Sequence, residues 1–198
     1  MAPSHCIGLT AAERQRLLVI ARSSMRAGSR ESDDEASLHD GLTPALQEKR
    51  GVFVTLTRSE ALRGCIGTIE PVAPLATAVA DSAHSAAFRD PRFPPMRLDE
   101  LEKITIEISV LTPTQPLAAA SREILLDRLR PGVDGLVLQD GRHRSTFLPK
   151  VWEQLPDPRD FLAQLLAKAG LPVDHWSPSL QLHRYGALTF GDQSCIQT

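Results

Sequence analysis

The sequence predicts an α+β fold with an antiparallel or mixed sheet flanked by helices, and three observations carry that prediction. Helical and strand patterns follow one another in mixed order rather than in strict alternation. At least two pairs of strand candidates are close enough in sequence to form hairpins. With 42% hydrophobic and 23% charged residues in 198, the chain has the composition of a soluble domain able to bury a core. That length suits one domain, or one domain cut into two lobes.

The elements follow in order. Thr10-Ala11-Ala12-Glu13 is a capping-box pattern, and Leu17, Leu18, Ala21 and Met25 then line one face, predicting a helix over 11–25. Gly28 to Gly41 is Ser-rich and acidic without apolar periodicity and reads as a mobile loop. Thr43-Pro44 starts a short helix through about Lys49. Gly51–Thr57 is a β-branched and aromatic run, and Leu62–Ile69 is a second strand candidate that can pair with it as a hairpin. Pro74 opens a helix whose Leu75, Val79, Ala83 and Ala87 form a small-residue face. Ile104, Ile106, Ile108 and Val110 alternate with Thr105, Glu107 and Ser109, a half-buried strand. Ser121–Arg130 reads as a short helix. Asp140-Gly141 marks a two-residue hairpin loop, and pairing Gln139 with Arg142 sets His143 opposite Leu138 and Ser145 opposite Leu136. Asp157-Pro158 caps a helix with Phe161, Leu162, Leu165 and Leu166 inside, ended by Gly170, and Leu180–Phe190 is a terminal strand.

A net charge of -2 lacks the basic excess that bulk binding of nucleic acid or an anionic membrane surface needs, so neither partner is expected. The 18 arginines against 4 lysines, and Arg142-His143-Arg144, are the only features favouring RNA. No apolar stretch approaches the roughly 20 residues of a membrane span and the first ten residues do not resemble a leader, so a soluble cytoplasmic protein is expected. Cys6, Cys65 and Cys195 cannot all pair, and none forms a C-x-x-C, so the pattern points to no disulfide framework or structural zinc. Nucleotide, haem and metalloprotease signatures are absent, and no cofactor is called.

Leu62-Arg63-Gly64-Cys65-Ile66-Gly67-Thr68 is the segment richest in chemistry. On a strand, Arg63 and Cys65 share a face, and a guanidinium beside a thiol favours the thiolate. The glycines allow a close approach, either of a ligand or of another backbone, and Cys65 then reads either as a nucleophile or as a small packing residue. Asp90-Pro91-Arg92-Phe93-Pro94-Pro95-Met96 is held in one shape by its prolines. Asp90 can close an Asx turn, Phe93 can plug the core, and Arg92 is either an anion clamp or the ion-pair partner of Asp90. His84 is a base, a ligand or a packed ring. Glu107 is a partner for Arg63, a general acid or base, or a protective edge charge. His143 and Ser145 lack the third group of a triad.

Taken together, LRGCIGT at 62–68, DPRFPPM at 90–96, ITIEISVLTP at 104–113 and STFLPKVW at 145–152 resemble the AMME domain family, protein A of the AmmeMemoRadiSam system. The resemblance runs from the first helix through Arg184-Tyr185. It implies a single AMME domain over 1–198 with two α+β lobes, the larger built from both chain ends, and a cleft between them. Carried over by position, its site residues are Arg63, Gly64, Cys65, Ile66 and Gly67, then Asp90, Arg92 and Phe93, with Glu107, Ser145 and Thr146 weaker. It also implies a shared pathway with Memo-like and radical-SAM proteins. The first functional expectation is an enzyme or enzyme subunit using Cys65, with Arg63, Arg92 and Asp90, on a small anionic or protein-linked substrate. The second is a non-catalytic module that binds those partners, and the third is RNA binding.

Overall fold

The structure, a computed structural model, describes residues 7–27 and 41–192. The acidic loop predicted over Gly28–Gly41 lies outside the described residues except for Gly41, as do Cys6 and Cys195. The chain divides into two units, one ending at Leu111 and resuming at Leu188, the other spanning Thr112–Ala187.

In the first unit, the capping box predicted at Thr10 forms: Glu13 N–H donates to Thr10 Oγ1 at 3.2 Å while Thr10 N–H donates to Glu13 Oε2 at 2.8 Å. It opens α1 (Ala11–Ala27). Glu13 also accepts from Thr43 Oγ1, at the start of α2 (Pro44–Gln47). β1 (Val52–Arg58) and β2 (Ala61–Thr68) form the expected hairpin, turned through Ser59 and Glu60, both at positive φ. After α3 (Leu75–Phe88) and a 3-10 turn over Leu98–Lys103 comes β3 (Ile104–Leu111). The sheet order is β2-β1-β3-β8, with β8 at Ala187–Gly191.

Alternation decides the two faces of this sheet. Val52, Val54, Leu56, Ile106, Ile108 and Val110 are buried in one apolar cluster with Leu17, Ile20 and Met25 of α1 and Val79 and Ala83 of α3. The opposite face carries Thr55, Cys65 and Glu107. The small-residue face of α3 lets that helix settle directly on the hairpin: a methyl group at Gly64 would stand 2.1 Å from the Ala86 carbonyl oxygen.

The second unit has its own sheet, ordered β4-β7-β5-β6, from β4 (Gln115–Pro116), β5 (Gly135–Asp140), β6 (His143–Phe147) and β7 (Gln181–Tyr185). Its core joins Leu125 of α4 (Arg122–Arg128), Leu136, Leu138 and Leu182 to Phe161, Leu162, Leu165 and Leu166 of α5 (Pro158–Lys168). Trp152 stacks on Phe161 with centroids 3.8 Å apart.

Two sequence expectations are corrected. The hairpin pairs Asp140 with His143 and Leu138 with Ser145, so its loop is Gly141-Arg142, because Gly141 takes the positive φ of 58° that opens the turn. The terminal strand over 180–190 is two strands, β7 and β8, placed in different sheets and separated by Gly186.

Among the described residues, no helix is long and apolar enough to cross a membrane.

Candidate functional site

The site is built on β2 and the proline-rich turn after α3. Asp90 directs its carboxylate inward with 2% of its side chain exposed. Its Oδ1 accepts from Arg92 N–H at 3.1 Å, closing the expected Asx turn, and from Arg92 Nε at 2.9 Å. Its Oδ2 accepts from Arg92 Nη2 at 2.7 Å and from the Cys65 N–H at 2.9 Å. Arg92 Nη2 also donates to the Cys65 carbonyl at 3.2 Å. One buried carboxylate and one guanidinium therefore hold both backbone polar groups of Cys65, which fixes where its side chain projects. The thiol is half-buried and lies 3.4 Å from the Thr55 hydroxyl, directly across the hairpin.

The electrostatics follow from that geometry. The Arg92 fork holds the Asp90 carboxyl far below the usual carboxylate range; burial opposes this, and the two backbone N–H bonds assist. Arg92 is raised in turn, chiefly by Asp90 and to a smaller extent by the neighbouring Cys65 thiol. All four acceptor contacts of the Asp90 carboxylate are thus filled by Arg92 and the Cys65 N–H. Arg92 has 53% of its side chain exposed, packs 5.5 Å over the Phe93 ring, and keeps Nη1 clear of any hydrogen bond to the described residues. That nitrogen can meet an anion.

Other expected residues are used differently. The guanidinium hydrogen-bonded to Cys65 is that of Arg92. Arg63 sits at a bulge, where Thr57 pairs with Leu62 and Leu56 with Gly64. Its Nε and Nη2 both donate to Glu100 Oε2, at 3.1 and 3.0 Å, rather than to Glu107, and only 12% of its side chain is exposed. Gly64 makes room for α3, and Gly67 for the β1 backbone and the Phe53 ring. Ile66 packs against the first core. Phe93 is half-buried under Arg92, and it is Met96 that enters the core. His84 lies against Phe88 at 5.0 Å, with burial lowering its pKa.

Ser145 and Thr146 belong to the second unit. Ser145 Oγ donates to the Leu165 carbonyl, and Thr146 Oγ1 meets both the Leu136 carbonyl and the Tyr185 hydroxyl. Burial pushes the Tyr185 hydroxyl up to about 12, and these contacts tie strands to helix. A polar hub in the same unit was not expected from the sequence. Asp140 accepts from His175 Nε2, Ser177 Oγ and Ser179 Oγ at 2.6–2.7 Å, and these bonds lower its pKa to about 2. It staples the 175–179 loop to the hairpin. Thr55 was also overlooked, although the TLT alternation of β1 with the hairpin register is enough to set it opposite Cys65.

This constellation occurs within a match to the AMMECR1 family model that spans residues 18–190. The chain belongs to the AMMECR1 family. A Methanothermobacter thermautotrophicus relative is 42% identical over 90% of this chain and 93% of its own length. Protein Mbar_A1807 of Methanosarcina barkeri is 48% identical over 68% of this chain and 67% of its own. Among solved structures, the uncharacterized protein PH0010 from Pyrococcus horikoshii superposes with a TM-score of 0.82 at 34% identity, covering 89% of this chain and 90% of that one. The α+β fold of this family member, with its two four-stranded sheets, is thus shared with an archaeal relative.

Proposed function

We propose that this AMMECR1-family chain is an enzyme or enzyme subunit whose Cys65 is the nucleophile, acting on a small anionic or protein-linked substrate that Arg92 orients. The observation that carries the proposal is the clamp on Cys65: a carboxylate with 2% exposure and a guanidinium fix its N–H and C=O, leaving a half-buried thiol aimed beside a hydroxyl. A cysteine that only fills space needs no such support. The Nη1 of Arg92, on a side chain 53% exposed, supplies a charged donor for a carboxylate or phosphate, its fork being held by Asp90. Arg63 contributes by holding the 3-10 turn through Glu100. The family resemblance adds a pathway with Memo-like and radical-SAM proteins, which co-purification tests.

The direct test is alkylation of the whole protein by iodoacetamide at pH 7, followed on the Cys65 peptide by mass spectrometry. Cys65 is expected to react faster than free cysteine, and added phosphate or a small carboxylate to slow it in wild type but not in Arg92→Ala. A rate at or below that of free cysteine overturns the nucleophile and leaves the surface as a docking site for those partner proteins.

A further inference from the structure

The outer face of the first sheet holds an arrangement that goes deeper than the thiol itself. Thr55 of β1 pairs with Cys65 of β2 on one side and with Glu107 of β3 on the other, so thiol, hydroxyl and carboxylate stand in one row across three adjacent strands. Residues opposed in this way on one face have Cβ atoms about 4.5–5.5 Å apart, within side-chain reach. The first link is already made, at 3.4 Å between Thr55 Oγ1 and Cys65 Sγ, with either atom able to donate. A hydroxyl accepts and donates at once, whereas an ionised carboxylate only accepts, which gives the row a direction from sulfur to Glu107.

The need for such a path follows from the clamp. Arg92, the guanidinium bonded to the Cys65 carbonyl, has its charge met by Asp90 through two side-chain hydrogen bonds, and the Asp90 carboxylate already accepts four. His84, the histidine of this unit placed in α3, lies against Phe88. We propose that Thr55 and Glu107 form a proton relay for Cys65, a reading that rests on Cys65 being the nucleophile. As sulfur attacks, the S–H bond breaks and its electron pair stays on sulfur to form the new bond. The proton passes to Thr55 Oγ1 while that hydroxyl gives its own proton to a Glu107 carboxylate oxygen. Glu107 then returns the proton to the leaving group or to water, and no oxidant or reductant enters.

The test is the pH profile of Cys65 alkylation by iodoacetamide in the full chain, for wild type, Thr55→Val, Thr55→Ser and Glu107→Gln. At about pH 10, where thiols are ionised without help, all four are expected to react alike. At pH 6, Thr55→Val and Glu107→Gln are expected to fall on the order of a hundredfold below wild type, the lower end for general-base assistance. Thr55→Ser, which keeps the hydroxyl, is expected to retain the wild-type rate. A carboxylate acting only as a repelling charge predicts the opposite sign, so Glu107→Gln at or above the wild-type rate at pH 6 overturns the relay. Thr55→Val matching wild type also overturns it. Where Thr55→Val fails to fold, the Glu107→Gln profile decides. Slow alkylation of wild type at every pH defeats the nucleophile itself, whereas fast alkylation unchanged by these substitutions defeats the relay alone.

Discussion

Asp90 shows how much one buried side chain organises. It satisfies the Cys65 N–H and takes the Arg92 fork, and neutralisation removes the charge that strengthens both. Its folded carboxyl is held below the ordinary value, so the unfolded chain binds the proton first as pH falls. The stability Asp90 contributes is therefore complete above about pH 5 and is lost as pH drops through the usual carboxylate range near 3.9 and below. Asp90→Asn is expected to cost about 2 kcal/mol at pH 7, the scale of a buried donor left without its partner. Urea unfolding checks this, and the gap between wild type and variant should narrow from pH 5 to pH 3. A constant gap would assign the loss to shape rather than charge. The sequence made the Asx turn and the Asp90–Arg92 pairing readable because both partners lie two residues apart. It concealed the bond to Cys65, 25 residues away, and the diversion of Arg63 to Glu100, since a bulge redirects a side chain that simple alternation sets beside the thiol.

At the level of elements, hydrophobic period and end signals were the informative features. The capping box placed α1, and the ITIEISVL alternation placed β3, because each rule is local. The split at Gly186 was hidden, since strand-like apolar positions recur on both sides of it while the two halves join different sheets. The packing of α3 on β2 gives a sharp prediction. A Cβ at Gly64 meets the Ala86 backbone rather than a flexible side chain, so helix and hairpin must separate. Gly64→Ala is expected to cost about 3 kcal/mol, the upper end of overpacking. Gly8→Ala, with nothing within 4 Å of its Cβ position, serves as the control and should change the thermal midpoint little.

Across the whole molecule, the two units carry separate apolar cores, one around Ile106 and Val79 and the other around Phe161 and Trp152. A defect in one core should therefore be felt there first. Phe161→Ala removes the ring that Trp152 and Phe147 pack against, at an expected cost of about 3–5 kcal/mol. Hydrogen exchange in mild denaturant should show amides of 135–147 losing protection while those of β1 and β3 keep theirs; equal loss in both would contradict separate cores. The arginine excess noted in the sequence also acquires a use at this scale. Arg22, Arg50, Arg63, Arg92 and Arg130 each pair with a carboxylate of their own unit, so the guanidinium bias serves internal cross-linking.

Thr112 and Gly186 exchange two hydrogen bonds, N–H to carbonyl at 2.9 Å and N–H to hydroxyl at 2.8 Å, at the points where the chain leaves β3 and returns to β8. Because β3 and β8 are sheet neighbours, the 112–187 stretch is in topological terms a very long hairpin loop with its neck already closed. Replacing it with a tight turn would sever no strand of the first sheet. Every residue of the clamp around Cys65 lies outside that stretch.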